Sequence, residues 1–272
     1  MKKWVFAVLV VASLAAYMLV EPYLLRVREY DFTDSDVPEP FAGKKIAFVS
    51  DIHCGQFFPP ERVRGLVENV NELGADIILL GGDYVDSAGM FEGMFTGQCI
   101  RELNSLKAPL GVYGVLGNHE HWSGKDESVK ALEEAGVTLI DNSGVWVRLD
   151  GDRIRVGGMA DPESGWVDVN PALEGVSEDD LVVIVSHRPD FAEGLKTEKV
   201  DLFISGHTHG GQITLFGLWS PFIPSIYGEK YRSGLIETNR TKVIVSNGVG
   251  TTSLPIRFFA PPDIVLVTLE RP

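Results

Sequence analysis

The chain is predicted to be an α/β protein with buried strands, on two observations. Short β-rich apolar runs alternate early on with stretches of helical period, and the runs end in Gly, Asp, Asn or His. In order, the runs are Ile46–Ser50, Ile77–Leu80, Val112–Leu116, Ile154–Gly157, Leu181–Ser186, Leu202–Ser205, Val243–Ser246 and Ile264–Leu269. Helical patterns fall at Pro60–Leu73 and Lys125–Ala135. Runs this apolar are what strands covered on both faces require.

Three stretches divide the chain. Residues 1–21 hold Met1, Lys2 and Lys3, then a charge-free apolar run from Trp4 to Val20, closed by Glu21 and Pro22. That length sits at the short edge of what spans a bilayer as a helix. A cleaved signal peptide, a retained signal anchor and a buried core helix compete. Basic residues at the extreme terminus disfavour the core helix, and Ser13-Leu14-Ala15 is a weak cleavage site. A retained membrane anchor is therefore expected. Arg26 and Arg28 beyond the run offset Lys2 and Lys3, so the positive-inside count assigns no side. Residues 22–43, with Pro22, Pro38, Pro40 and several acids, read as a linker, and 44–272 as the folded body.

Composition excludes some roles. A chain that is 44% hydrophobic and 23% charged is globular, not disordered. A formal net charge of −14 argues against nucleic acid as a partner, because phosphate binding needs a basic surface. An anionic substrate would need local positive charge, which bound divalent cations can supply where the overall surface does not. The only cysteines, Cys54 and Cys99, suggest no disulfide framework. One bridge is possible, but two free thiols are the plainer expectation.

The chemistry lies at the run ends. They deliver Ser50-Asp51-Ile52-His53, Gly82-Asp83-Tyr84-Val85-Asp86, Gly117-Asn118-His119-Glu120, Ser186-His187 and Gly206-His207-Thr208-His209-Gly210-Gly211-Gln212. Ligands of α/β sheets gather at the carboxyl ends of strands. Carboxylates, imidazoles and an amide oxygen suit borderline-hard divalent metals. An i, i+2 pair on extended backbone points to one face, so Asp51 with His53, and His207 with His209, are expected to converge. Of the six histidines, only His121 stands outside these motifs.

This ordered set of D-x-H, G-D-x-x-D, G-N-H-[DE], a later His and G-H-x-H resembles the calcineurin-like metallophosphoesterase superfamily, from about Lys45 to Glu270. The resemblance implies a four-layer α/β/β/α sandwich of two mixed β-sheets flanked by helices, here with an N-terminal membrane-anchor helix. It implies two divalent metal ions, with Mn, Zn and Fe all compatible with the ligand set. Asp51, His53, Asp83 and His209 would hold one; Asp83, Asn118, His187 and His207 the other, with Asp83 as the bridge. Two such cations share an activated water or hydroxide and clamp the phosphoryl oxygens, so no protein nucleophile is needed. His119 would assist the leaving oxygen, with Asp86 orienting it. Glu120 is expected to be structural and Cys54 a bystander.

Departures narrow the substrate. The arginines by which the superfamily's protein phosphatases grip phosphate are replaced by Ser87-Ala88 and Leu116-Gly117, so a phosphoprotein substrate is not expected. The chain looks more like small membrane-associated bacterial members, a group that includes phosphodiesterases and a UDP-2,3-diacylglucosamine pyrophosphohydrolase of lipid A synthesis. A phosphodiester or diphosphate substrate is expected, with a lipid-linked one favoured; a nuclease or nucleotide phosphodiesterase is the alternative, and an inactive binding module the third reading. Leu215–Pro224, dense in large apolar residues and prolines, either forms a lip against lipid or acyl chains or folds back on the core. Phe57, Phe58, Met90, Phe91, Met94 and Phe95 could join such a lip.

Overall fold

Strand alternation in this protein runs between two buried layers, so apolar residues of both parities are needed. The computed structural model describes residues 3–87 and 96–272. In chain order the main elements are α1 (Lys3–Val20), β1 (Arg26–Thr33), β2 (Lys45–Val49), α2 (Pro60–Glu72), β3 (Ile77–Leu80), α3 (Thr96–Arg101), β4 (Val112–Gly114), α4 (Asn118–Ser123), α5 (Lys125–Glu134) and β5 (Thr138–Leu139). They continue as β6 (Ser143–Leu149), β7 (Asp152–Met159), β8 (Val182–Ser186), α6 (Phe191–Gly194), β9 (Leu202–Ser205), β10 (Gly234–Glu237), β11 (Lys242–Val245) and β12 (Asp263–Glu270).

Two six-stranded mixed sheets result, ordered β1-β12-β2-β3-β4-β5 and β10-β11-β9-β8-β7-β6. Ile46 and Phe48 of β2 and Ile77 and Leu79 of β3 face Val183, Val185, Leu202 and Ile204 in the core between the sheets. The alternate residues Ala47, Val49, Ile78 and Leu80 pack outward against α2, α3 and α5, through Leu66, Val70, Ile100 and Leu132. Outside the second sheet, Val182, Ile184 and Phe203 meet Ala172, Ala192 and Tyr231. That outer layer consists of single turns at Asn170–Leu173, Phe191–Gly194 and Gly228–Tyr231. The expected four layers are present, the fourth of them thin.

Parallel pairing of β2, β3 and β4, and of β8 and β9, sends the carboxyl ends within each set the same way. The five motif-bearing ends meet at one rim of the sandwich.

Two expectations need correction. Residues 22–43 are not a free linker, because β1 pairs in parallel with β12 over eight residues, Arg26 opposite Asp263 through Thr33 opposite Glu270. The stretch Arg-Val-Arg-Glu-Tyr-Asp-Phe-Thr hides its strand character, since on its core face only Tyr30 and Phe32 pack inward. Arg28 is anchored there by Asp263, at 2.6 Å. Nor are the thiols free: Cys54, on the first site loop, is disulfide-bonded to Cys99 of α3. Both are buried at a Cα separation of 5.9 Å, a spacing that a disulfide spans.

This bridge closes a loop across a sequence separation of 45 residues, so its removal frees the unfolded chain. Replacing both cysteines with serine should destabilise the body by about 2–4 kcal/mol. Denaturant unfolding of the double variant checks this, and a reductant should lower the midpoint of the parent protein and leave that of the variant unmoved.

Candidate metal centre

At the sandwich rim the chain turns abruptly. Asp51, His53, Asp83, His207 and His209 all adopt left-handed backbone, with φ of 55°, 46°, 52°, 70° and 52°. Such conformations are uncommon for residues with a Cβ and cluster where a site dictates the backbone. The loops after β2 and β3 hold each other through the Asp51 N–H to Gly82 O, His53 N–H to Asp83 O and Cys54 N–H to Tyr84 O bonds, at 2.9–3.0 Å. Extended-strand logic therefore fails here. Asp51 and His53 do converge, but through a tight left-handed loop. His207 and His209 part company, each turning toward a different ligand group.

Close approach accounts for two glycines. A Cβ at Gly117 would collide with Asp83 Oδ1, and one at Gly206 with Asp51 Oδ2. Glu120, fully buried, holds the Asp83 turn: its carboxylate accepts from the N–H groups of Asp83, Tyr84, Val85 and Gly117 at 2.7–3.2 Å. It is structural, as expected.

The predicted ligands come together in two groups. In the first, His53 Nε2 and His209 Nε2 lie 3.0 Å apart, with Asp51 Oδ1 3.5 Å from His209 Nε2. In the second, His187 Nε2 lies 3.0 Å from His207 Nδ1 and 3.1 Å from Asn118 Oδ1. Asp83 Oδ2 stands between them, 3.5 Å from His53 Nε2 and 3.2 Å from His187 Nε2. All these residues are at least nine-tenths buried except His207, which is partly exposed.

The arrangement fits divalent cations. His187 Nδ1 donates to Gly81 O at 2.8 Å, which aims Nε2 at Asp83, Asn118 and His207. In the first group, the outer nitrogens His53 Nδ1 and His209 Nδ1 have no hydrogen-bond partner among the described residues. So many buried acceptors directed at one space are costly to leave uncompensated, and a cation satisfies them together.

Electrostatics agree. Burial pulls His53 down to about 3 and holds His207 and His209 well below the usual imidazole range. For His187 burial pulls the same way, but the Asp83 and Asp51 carboxylates outweigh it and push the group up to about 10. Burial also raises Asp51 to about 6. Asp83, despite burial, is held well below the carboxylate range by His187, His53 and His119.

His119 sits beside the ligands, its Nε2 4.0 Å from Asp83 Oδ2 and its ring edge-on to His53 at 4.5 Å. Asp86, the expected orienter, has Oδ1 3.9 Å from His119 Nδ1. Ser87 lies closer, its N–H donating to Nδ1 at 3.1 Å and its Oγ 2.8 Å away. A backbone N–H can only donate, so Nδ1 accepts and the imidazole proton resides on Nε2, the nitrogen nearer the ligands. Sequence reasoning missed Ser87 because it looked for a charge. Trp122, half exposed, packs against His119 at 5.1 Å. Arg188 is held by Asp161 through two bonds of 2.7 and 3.1 Å. His121 lies outside every ligand group found among the described residues.

The other missed residue is Arg257. It is fully buried, and its guanidinium donates to the carbonyls of His209, Asn247, Gly248, Gly250 and Ala260 at 2.6–3.3 Å. Gly250 N–H in turn donates to Asp51 O and Val249 N–H to Ser50 O, so one side chain ties the His209 turn to the Asp51 loop. A lone Arg in a Pro- and Phe-rich stretch signals this only in retrospect.

Residues 44–211 match the family model described as Calcineurin-like phosphoesterase. The chain belongs to the calcineurin-like phosphoesterase family. It is thus a metal-dependent phosphoester hydrolase. It is 32% identical to the uncharacterized metallophosphoesterase YkuE of Bacillus subtilis, over 92% of this chain and 87% of that one. An uncharacterized metallophosphoesterase of Aquifex aeolicus is also 32% identical, over 94% and 96%. Phosphodiesterase YaeI of Escherichia coli is 28% identical, over 90% and 87%.

Two measurements follow for this phosphoesterase. Cation binding must expel the His187 proton below about pH 10, and that of Asp51 as well below about pH 6. Mn²⁺ affinity should therefore rise about tenfold per pH unit between about pH 6.5 and 8.5, and more steeply below about pH 6. Titration calorimetry in buffers of different ionisation enthalpy counts the released protons; no release would show that His187 Nε2 carries no proton in the metal-free site. For Arg257, replacement by Met strands five buried carbonyls and should cost roughly 3 kcal/mol or more. Urea unfolding measures that loss, and the same variant should bind Mn²⁺ more weakly.

Proposed function

We propose that the chain hydrolyses a phosphodiester or diphosphate bond with two divalent cations, Mn, Zn or Fe, and that its substrate is presented at a membrane. The observation that carries the reading is the position of Asp83 Oδ2, within 3.5 Å of one imidazole nitrogen from each ligand group. One carboxylate placed between two groups suits a bridge. Asp51, His53 and His209 would complete one cation site, and Asn118, His187 and His207 the other. When bound, such a pair neutralises phosphoryl oxygens and activates water for in-line attack.

The protein's own groups have separate tasks. His119 presents its Nε2–H to the substrate side, where a leaving oxygen needs a donor. Ser87 fixes that tautomer, so Nε2–H assists the leaving oxygen as a hydrogen-bond donor, and Asp86 Oδ1 lies 3.9 Å from Nδ1. Trp122 packs at a tilt against the ring, with the centroids 5.1 Å apart. With Arg188 committed to Asp161, phosphate recognition rests on the cations, which accords with a diester or diphosphate and not a phosphoprotein.

Membrane presentation is supported by α1, an apolar helix of 18 residues. At 1.5 Å per residue it is about 27 Å long, close to the thickness of a bilayer's hydrocarbon core. The Cys54–Cys99 disulfide favours the body on the oxidising side, with Lys2 and Lys3 on the other.

Asp83→Asn and His119→Ala should fail differently. Asp83→Asn should lose bound metal and all turnover. His119→Ala should keep its metal while the rate falls by about 10²–10⁴-fold. Elemental analysis beside hydrolysis of bis-p-nitrophenyl phosphate decides it: a full metal equivalent lost from His119→Ala would make His119 a ligand.

A further inference from the structure

Between the His209 turn and Arg257 the chain forms a surface unlike the rest of the body. Leu215, Phe216, Leu218, Trp219, Phe222 and Ile226 are all more than half exposed, Leu218 by 80%, Phe222 by 73% and Ile226 by 86%. They do not fold back on the core, which sets aside that expectation for this segment. Phe58, by contrast, is buried, and Met90, Phe91, Met94 and Phe95 lie outside the described residues.

The surface is rigid and bolted to the site. Ile213 bridges Phe258, Thr214 Oγ1 donates to Phe258 O at 2.9 Å, and Arg232 Nη2 donates to Gly217 O at 2.8 Å. It also continues into α1. Phe216 packs on Phe259 at 5.2 Å, Phe259 packs on Tyr17 of α1 at 5.3 Å, and the Arg257 N–H donates to Met18 O at 3.0 Å. Glu21, fully buried and bonded by Tyr17 Oη at 3.0 Å, fixes the end of the helix in the body. With β1 following within a few residues, no slack separates α1 from the body.

We infer that the surface from Leu215 to Ile226 lies in the headgroup layer of the bilayer that α1 enters, holding the metal centre open at the membrane surface. The inference rests on the proposed membrane setting of α1. A helix whose last turn is clamped to Phe258 and Phe259 sets the level of those residues at the bilayer edge. Phe216 and its exposed neighbours extend sideways from that level. Large apolar side chains with three aromatic residues among them suit an interface where one side is apolar and the other wet. The body's negative charge makes a zwitterionic surface the fitting partner.

Both native cysteines are paired, so one introduced cysteine can be labelled alone. The full chain goes into phosphatidylcholine nanodiscs, one copy per disc, carrying a nitrobenzoxadiazole probe at L218C, F222C or I226C, with K130C on α5 as control. Lipids spin-labelled near the headgroup should quench the three probes at least twofold and leave the control unchanged. Leu218→Asp with Phe222→Asp should lower the rate on a lipid-borne phosphodiester in the same disc by tenfold or more. Its rate on soluble bis-p-nitrophenyl phosphate should change by less than twofold, and its unfolding midpoint should not move. Quenching no greater than at Lys130→Cys overturns the inference, as does a chain that stays out of the discs. Probes shielded only when two copies share a disc would make this an interface between copies and overturn it as well. Hydrolysis of the soluble diester by the parent protein is read separately, so failure of the lipid contact and failure of the phosphoesterase reading are told apart.

Discussion

The Asp83 carboxylate is charged, sealed from water and surrounded by imidazoles, and much of the rim is arranged to hold it there. Its own N–H and those of Tyr84 and Val85 are anchored by Glu120, and its Oδ1 accepts from the His119 N–H at 3.0 Å. Gly117 is bare because Asp83 needs the volume of its Cβ. An isolated buried carboxylate would be expensive or would take up a proton. Here three histidines hold it ionised, so the geometry that suits a bridging ligand is also what keeps Asp83 charged.

A second constraint is conformational. Five of the proposed ligand residues sit in left-handed backbone, at roughly 1 kcal/mol each, or on the order of 5 kcal/mol together. That sum is comparable with the lower end of a domain's whole net stability. Strain of this size persists only if neighbours over-determine the loops. They do so from both sheets, by the backbone ladder between the β2 and β3 loops, by Arg257 across five carbonyls, and by the disulfide from Cys54 to α3. The site is stiff because relaxing any one turn would break bonds in the others.

Legibility in the sequence follows from this division. Strands whose residues of both parities are buried announce themselves by continuous apolar runs, so β2, β3, β8, β9, β11 and β12 were readable nearly to the residue. The gathering of carboxylates and imidazoles at their carboxyl ends was readable too, because the same donor types recur after each run. Elements stabilised by partners distant in sequence were not. β1 alternates charge with aromatic and gains its place only by pairing with the last strand. Ser87 works through a backbone N–H, which no side-chain pattern reveals. Arg257 works on carbonyls 3 to 48 residues away. The convergence of Asp51 with His53 was foreseen for the wrong reason, since alternation was assumed where the backbone is left-handed.

The chain order of the last third joins these strands of argument. His209 leads through Gln212 into the exposed apolar surface, and the chain returns at Arg257–Phe259 to the same place. The Phe258 N–H bonds Gln212 O at 2.9 Å, so departure and return are held side by side. Arg257 then faces two ways: its guanidinium holds the His209 carbonyl, and its backbone N–H holds the last turn of α1. A displacement of α1 relative to the body would act on the backbone that carries His209, a proposed metal ligand, with one residue between them. A flexible tether would isolate the site from the apolar helix. This connection does the opposite, and it makes the position of the helix part of the geometry on which the proposed ligand set depends.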